Sequence, residues 1–257
     1  MAEADFAGRC VVVTGGTRGI GAGIARAFLA AGAQVLVCGR SEAGAEPAAA
    51  GRTAGFVRAD VRDPDQAQLL LRAAAERFGW VDVVVSNAGG SPPAAAATAS
   101  PRFHAKIIEL NLIAPLHVAQ AANAVMQGQA GGGSIIMIGS VSGTRPAPGT
   151  AAYGAAKAGL HSLAASLAVE WAPKVRVNCV VPSLVLTEAA AESGYGGDAA
   201  ATPLGRLATP ADVAAACLFL ASPQAAFVSG AGLLLHGGGE HAAFLAGAEN
   251  SVYPRTE

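Results

Sequence analysis

Apolar residues gather into short runs rich in β-branched side chains, and each run is followed by a longer stretch in which apolar positions recur with helical spacing. Arg9 to Thr14, Gln34 to Cys38, Gly55 to Ala59, Asp82 to Ser86, Ile135 to Ile138, Val175 to Val181 and Gly232 to His236 read as strands. Several are apolar without interruption, as a strand covered on both faces requires. Helices are read over Ala22 to Ala31, Pro64 to Phe78, Pro101 to Gln127, Ala151 to Trp171 and Pro210 to Ala221. Asp63 before Pro64 and Thr209 before Pro210 supply the cap and first-turn residues that start a helix. The alternation predicts an α/β fold: a single-domain, doubly wound parallel sheet of about seven strands with helices on both faces.

A chain of 257 residues is long enough for one such domain, and no second domain is indicated. Hydrophobic residues make up 52% and charged ones 14%, which excludes a disordered or nucleic-acid-coating chain and points to surface buried in an oligomer. A net charge of -1 gives no steering toward nucleic acid or anionic membranes. No apolar run approaches the ~20 residues of a membrane span. The amino terminus has acids and no long apolar stretch, so a cytoplasmic protein is expected. Cys10, Cys38, Cys179 and Cys217 are far apart and read as core residues. His236, Glu240 and His241 flank a triple glycine with no fixed geometry, so no metal site is expected.

Candidate chemistry sits where the strands end. TGGTRGIG follows the first strand, with Gly15, Gly19 and Gly21 leading into a helix; such a turn lets backbone N–H groups and a helix dipole meet a phosphate. After the second strand comes Gly39-Arg40-Ser41. An acid there would suit a ribose 2′-hydroxyl, whereas Arg40, with Arg18 of the glycine loop, suits a 2′-phosphate. The alternative for both is a solvated surface arginine, and the nearest acid, Glu42, is two residues late.

Ser140 lies just beyond the strand Ile135 to Ile138. Tyr153 and Lys157 follow one turn apart on a helix, in a chain whose lysines are Lys106, Lys157 and Lys174. An ammonium ~4.5 Å from a phenol favours the phenolate by roughly 3–4 kcal/mol at an effective dielectric of ~20, bringing proton transfer within reach at neutral pH. Asn111, in an apolar helical stretch, is open to two readings, a local backbone-bonding amide or a site residue.

Taken together, TGGTRGIG, Asp60-Val61, Asn87-Ala88-Gly89, Asn111, Ser140 thirteen residues before Tyr153, YGAAK and PSLVLT resemble the short-chain dehydrogenase/reductase family over about Arg9 to Gly238, and within it members of the 3-oxoacyl-acyl-carrier-protein reductase type. The resemblance implies a Rossmann-type fold and roles position by position. Tyr153 would exchange the proton, Lys157 would lower its pKa and hold the nicotinamide ribose, Ser140 would orient the carbonyl, and Asn111 would support a relay water. Gly15, Thr17, Arg18, Gly19, Ile20 and Gly21 would hold the pyrophosphate end. Asp60 and Val61 would meet adenine; Asn87, Ala88 and Gly89 would line the cleft; Pro182, Val185 and Thr187 would meet the carboxamide end. Ser183 stands where the family usually has glycine, and His236 where it often has Asp or Asn.

The expected activity is NADPH-dependent reduction of a ketone or 3-oxoacyl carbonyl, with NAD(H) as the other possible cofactor. One rival is an NAD-dependent alcohol or hydroxysteroid dehydrogenase of the same family; another is a non-catalytic nucleotide-binding protein, whose mark would be a broken Ser-Tyr-Lys set. The partner is a small molecule. A homotetramer, or a homodimer, is expected from the family and from the low charge. Substrate choice is assigned to the loop after Gly89, to a lid over 183–209 with Tyr195 as its aromatic, and to the tail over 240–257; their small apolar residues favour an apolar ligand.

Overall fold

The structure, a computed structural model, describes residues 5–41, 46–192 and 202–239. In chain order it contains β1 (Cys10–Thr14), α1 (Gly19–Ala30), β2 (Gln34–Gly39), the short strands β3 (Ala48–Ala49) and β4 (Arg52–Thr53), β5 (Gly55–Arg58), α2 (Pro64–Phe78), β6 (Val83–Ser86), α3 (Pro101–Ile108), α4 (Ala114–Gly128), β7 (Gly133–Ile138), α5 (Ala151–Glu170), β8 (Val175–Pro182), α6 (Glu188–Glu192), α7 (Pro210–Ala221) and β9 (Gly232–Leu235). Seven strands pair in parallel in the order β5-β2-β1-β6-β7-β8-β9. The chain therefore works outward from β1 to β5, then returns to the other side of β1 as β6. That reversal opens a crevice at the carboxyl ends of β1 and β6, where an open α/β sheet receives its ligand.

Both faces of the sheet are covered, which is why its strands read as apolar runs. On one side α2, α4 and α5 contribute Leu70, Leu71, Val118, Met126, Leu160 and Leu167 to the core; on the other α1 and α7 contribute Ile24, Phe28, Val213 and Leu220. Each such side chain stabilises the fold by about 1.5–3 kcal/mol through its removal from water. The second pair of helices meets closely because position 23 is glycine: a Cβ there would stand 2.5 Å from the Cβ of Pro210. Both caps read from the sequence are made. Asp63 accepts from the N–H of Asp65, and Thr209 and Asp212 form a reciprocal capping box that Arg206 reinforces with two hydrogen bonds to the Asp212 carboxylate.

Several boundaries differ from the sequence reading. The helix expected from Pro101 to Gln127 is interrupted by a π-helical turn at Glu109–Ile113, in which the N–H of Ala114 reaches back five residues to the carbonyl of Glu109. The first helix begins at Gly19, not at Ala22, because the glycine loop winds directly into it. The hairpin β3–β4 was not foreseen, and α6 forms within the expected lid. Glu42, Tyr195, Glu240 and His241, much of the lid and the tail over 240–257 lie outside the described residues. No described helix is long and apolar enough to cross a membrane.

Candidate active site

The glycine loop is tied down from below. Thr14, buried at the end of β1, accepts through Oγ1 from the backbone N–H groups of Asn87 and Ala88 at 3.0 and 3.1 Å; Asn87 Nδ2 donates to the carbonyls of Thr14 and Gly15 at 2.9 and 3.1 Å. The loop after β6 and the loop after β1 thus form one floor. Gly15 and Gly19 have φ of 61° and 54°, the left-handed region that favours glycine. Gly21 has no room for a side chain, since a Cβ would stand 2.3 Å from the Gly15 carbonyl oxygen and 2.5 Å from Asn87 Nδ2.

Above this floor, α1 opens at Arg18 without a side-chain cap and without an acid in its first turn. Its N–H groups and the positive end of its dipole are available to an anion. A cradle of this kind, bare of side chains and positive at its mouth, fits the pyrophosphate of a dinucleotide. Thr187 closes over it, its Cγ2 lying 3.5 Å from where a Gly19 Cβ would stand, while its Oγ1 accepts from the N–H of Ala190 at 3.2 Å. Ile20 and Val185 pack half-buried against the α1–α7 core, Val185 pairs with Ala208 in an isolated bridge, and Pro182 ends β8 buried.

Farther along the sheet, a Cβ on Gly39 would stand 3.6 Å from Thr17 Oγ1, so the residues following them, Arg18 and Arg40, flank one corner. Both arginines are exposed. Arg58, whose Cα pairs with Gly39 across β2 and β5, donates from Nε to the Arg40 carbonyl at 3.1 Å. Asp60 comes next, its carboxylate accepting from Arg62 Nε at 3.0 Å, from Arg62 Nη2, and from the Arg62 backbone N–H at 3.1 Å. Those bonds, with the charges of Arg62 and Arg40 beyond them, hold Asp60 below the usual carboxylate range. Val61 is buried in the core, leaving its backbone, not its side chain, to face a ligand.

Ser140, Tyr153, Lys157 and Asn111 are brought to the same end of the sheet. Ser140 leads a 3-10 turn, Val141–Gly143, and its Oγ accepts from the N–H of Ser142 at 3.1 Å, leaving its own O–H to donate elsewhere. Two glycines press this turn onto α5. A Cβ on Gly143 would stand 2.6 Å from the Ala158 nitrogen, and one on Gly154 would stand 2.8 Å from the Ser142 carbonyl oxygen. The first turns of α5 carry half-buried Tyr153 and, beneath it, Lys157, whose Nζ lies 5.5 Å from the centre of the Tyr153 ring.

Lys157 is only 4% exposed, and its Nζ donates to the Ile138 carbonyl at 2.8 Å. Burial lowers its ammonium from 10.5 to about 8. Asn111 is fully buried and bonds backbone, as the first of its two readings has it: Nδ2 donates to the Ile107 carbonyl of its own helix at 3.0 Å and to the Gly90 carbonyl at 2.9 Å, while Oδ1 accepts from the Gly90 N–H at 2.9 Å. A Cβ on Gly89 would stand 2.8 Å from Asn111 Oδ1 and 3.4 Å from Lys157 Nζ, so the two polar groups converge on one spot that a side chain would fill.

Two residues of this architecture went unread in the sequence. Thr14 has a weak local signal, a hydroxyl ending an apolar strand just before the glycines. His161, one turn beyond Lys157, has the same i, i+4 spacing as Tyr153 and Lys157, which was the signal that could have found it.

Comparison with known proteins agrees with this architecture. The sequence model of the family described as enoyl-(acyl carrier protein) reductase matches residues 15–240. The L-fucose dehydrogenase of Oryctolagus cuniculus is 38% identical over 250 residues, 92% of this chain and 87% of that protein. The 3-oxoacyl-acyl-carrier-protein reductase FabG of Chlamydia muridarum is 34% identical over 240 residues, 90% of this chain and 96% of that one. Among solved structures, ligand-free aldohexose dehydrogenase of Thermoplasma acidophilum superposes with a TM-score of 0.84 at 28% identity, covering 92% and 96% of the two chains. The chain belongs to the short-chain dehydrogenase/reductase family, and it is an oxidoreductase acting on CH-OH or C=O groups with a nicotinamide cofactor.

Proposed function

We propose that the protein is an NADPH-dependent reductase of a ketone or 3-oxoacyl-type carbonyl, reversible in principle, working as a single domain over which the segment 183–209 covers the substrate. The observation that carries this reading is the convergence of the Ser140 turn, Tyr153 and buried Lys157 beside a glycine cradle at the switch point of the sheet. A bound nicotinamide supplies the hydride. Ser140, its oxygen engaged by the Ser142 N–H, donates its hydroxyl hydrogen to the carbonyl oxygen. Tyr153 gives its proton to the same oxygen as negative charge develops there. Lys157 spends one of its three N–H donors on the Ile138 carbonyl and keeps two, one for the nicotinamide ribose and one for returning a proton toward Tyr153. Asn111, anchored on Gly90, holds the far end of that route.

NADPH preference rests on the corner formed by Arg18 and Arg40. A guanidinium fork suits a 2′-phosphate, and the two residues directly after β2, Arg40 and Ser41, include no acid for a bare ribose. Arg40→Ala should raise the KM for NADPH by at least tenfold and leave that for NADH within about twofold, as steady-state kinetics with both cofactors would show. Equal effects on the two would reverse the preference. A panel of carbonyl compounds assayed with each cofactor tests the substrate class. The similarity to L-fucose and aldohexose dehydrogenases favours a second reading, oxidation of a sugar or polyol with NAD(P)+, and the reverse assay on such alcohols separates the two.

We further propose a cytoplasmic homotetramer. Four free, buried cysteines suit a reducing compartment. Two separate apolar surfaces suit pairing in two directions. One is a groove of about 500 Å³ between α4 and α5 whose apolar side, Leu116, Leu163, Leu167 and Trp171, is rimmed by polar Gln120, Asn123 and Glu170; the other is the sheet edge, where Phe219, Phe227 and Leu234 are exposed. Light scattering should return four times the 25.3 kDa of one chain; a monomer would contradict the assembly.

A further inference from the structure

Beneath Ser140 lies an imidazole that the mechanism above does not use. α5 presents Tyr153, Lys157 and His161 at successive turns of one face, and the third of these ends under the Ser140 turn. A Cβ on Gly139 would stand 2.5 Å from His161 Nε2 and 2.7 Å from Cys179 Sγ; one on Gly143 would stand 3.0 Å from His161 Cε1. The ring therefore fills the space left by the two glycines that bracket Ser140, with the Cys179 thiol of β8 closing the other side. Its Nε2 is buried without a hydrogen-bond partner among the described residues, so the ring is not held there by a bond at that atom. Burial, and then the charge of Lys157, keep the imidazole below its usual pKa and hence neutral at pH 7.

We propose that His161 is a positioning residue: a wedge between Gly139 and Gly143 that fixes the Ser140 turn and thereby the direction in which the Ser140 hydroxyl donates. The inference rests on the reading that Ser140 orients the substrate carbonyl. Removing the ring would leave a cavity directly under the two glycines that bracket Ser140, on the side of the turn where the imidazole is the packed group, and a displacement of about 1 Å at a reacting group costs up to roughly 100-fold in rate.

The test is a double-mutant cycle in the full-length protein with NADPH. His161→Ala should lower kcat about 10- to 100-fold while NADPH affinity, read by fluorescence titration, and circular dichroism stay as in the wild type. His161→Leu, which refills most of the volume without a nitrogen, should recover most of the loss and covers the case in which the alanine variant does not fold. In a Ser140→Ala background, His161→Ala should have no further effect on kcat. Wild-type turnover in His161→Ala, a folded His161→Leu as impaired as the alanine variant, or equal losses in both Ser140 backgrounds would each overturn the inference. Should Ser140→Ala itself leave kcat unchanged, the role given to Ser140 falls and the wedge falls with it, an outcome distinct from the failures of His161 alone.

Discussion

Tyr153→Phe should lower turnover by about a thousandfold or more while NADPH binds within about twofold of the wild type, since a positioned general acid contributes on the order of 10²–10⁴ and the substitution removes the donated proton outright. The change deletes one oxygen. The ring stays in its half-buried place above Lys157, whose Nζ keeps its bond to the Ile138 carbonyl, so neither the cradle at Gly15 to Gly21 nor the floor of Thr14 and Asn87 is disturbed. Steady-state kinetics paired with a fluorescence titration of NADPH distinguishes the two effects. Turnover near the wild-type value would mean that the proton comes from another group, and the proposed chemistry would have to be abandoned.

What the chain reveals on its own is set by how local the signal is. A strand covered on both faces must be apolar along its length, so β1, β2, β6, β7 and β8 are visible as runs of Val and Ile. The caps at Asp63 and Thr209 are equally visible, because each satisfies an N–H two or three residues away. The glycine loop, Ser140 and the Tyr153–Lys157 pair were legible for the same reason: each is a short pattern at the end of an element whose type is clear. The π-helical turn at Glu109–Ile113 was not. It contains Asn111, whose amide bonds the N–H and carbonyl of Gly90, twenty-one residues earlier, a contact with no local sequence signal. Each strand of the hairpin β3–β4 is two residues long, Ala48–Ala49 against Arg52–Thr53, too short to carry a period-two pattern.

His161 and Thr14 were hidden for a related reason. Each meets backbone remote in sequence, Thr14 the loop after β6 and His161 the turn after β7, and the missing Cβ atoms that make room for the imidazole, at Gly139 and Gly143, are informative only once the turn has been folded onto α5. Burial changed the chemistry of the pair as well. The sequence treats Lys157 as a charge that acts on Tyr153, whereas the structure shows that enclosing this charge also acts back on Lys157 itself.

That reciprocal cost makes Lys157→Met a trade of activity for stability. Turnover should fall at least about a hundredfold, because the ammonium that completes the proton route is gone. The cofactor-free protein, however, should melt a few degrees higher at pH 7. An unfolded lysine titrates at 10.5 and the buried one at about 8, so below pH 8 both states carry the proton and the folded state bears the full penalty of enclosing it. Between pH 8 and 10.5 the folded chain releases that proton while the unfolded chain still holds it; stability therefore rises with pH across this window, by about 3 kcal/mol in all. Methionine has no such penalty, and the stranded Ile138 carbonyl returns roughly 1–2 kcal/mol of it, leaving a net gain of about 1–2 kcal/mol, or a few degrees in a chain of this size. Buried Cys10, Cys38 and Cys179, pushed up to about 12, 11 and 12, pull the other way above pH 9, since the unfolded thiols lose protons that the folded ones keep. Cys10 and Cys38 behave alike in both proteins, while Cys179, which the Lys157 charge holds down in the wild type, is freed to rise further in the variant and so narrows the gap at high pH in the same direction. The quantity to measure is the difference between the two unfolding free energies from pH 7 to 10. It should favour the methionine variant at pH 7 and shrink as pH rises; a variant less stable at pH 7, with a gap that does not change with pH, would show that the enclosed ammonium is not the strained element of this site.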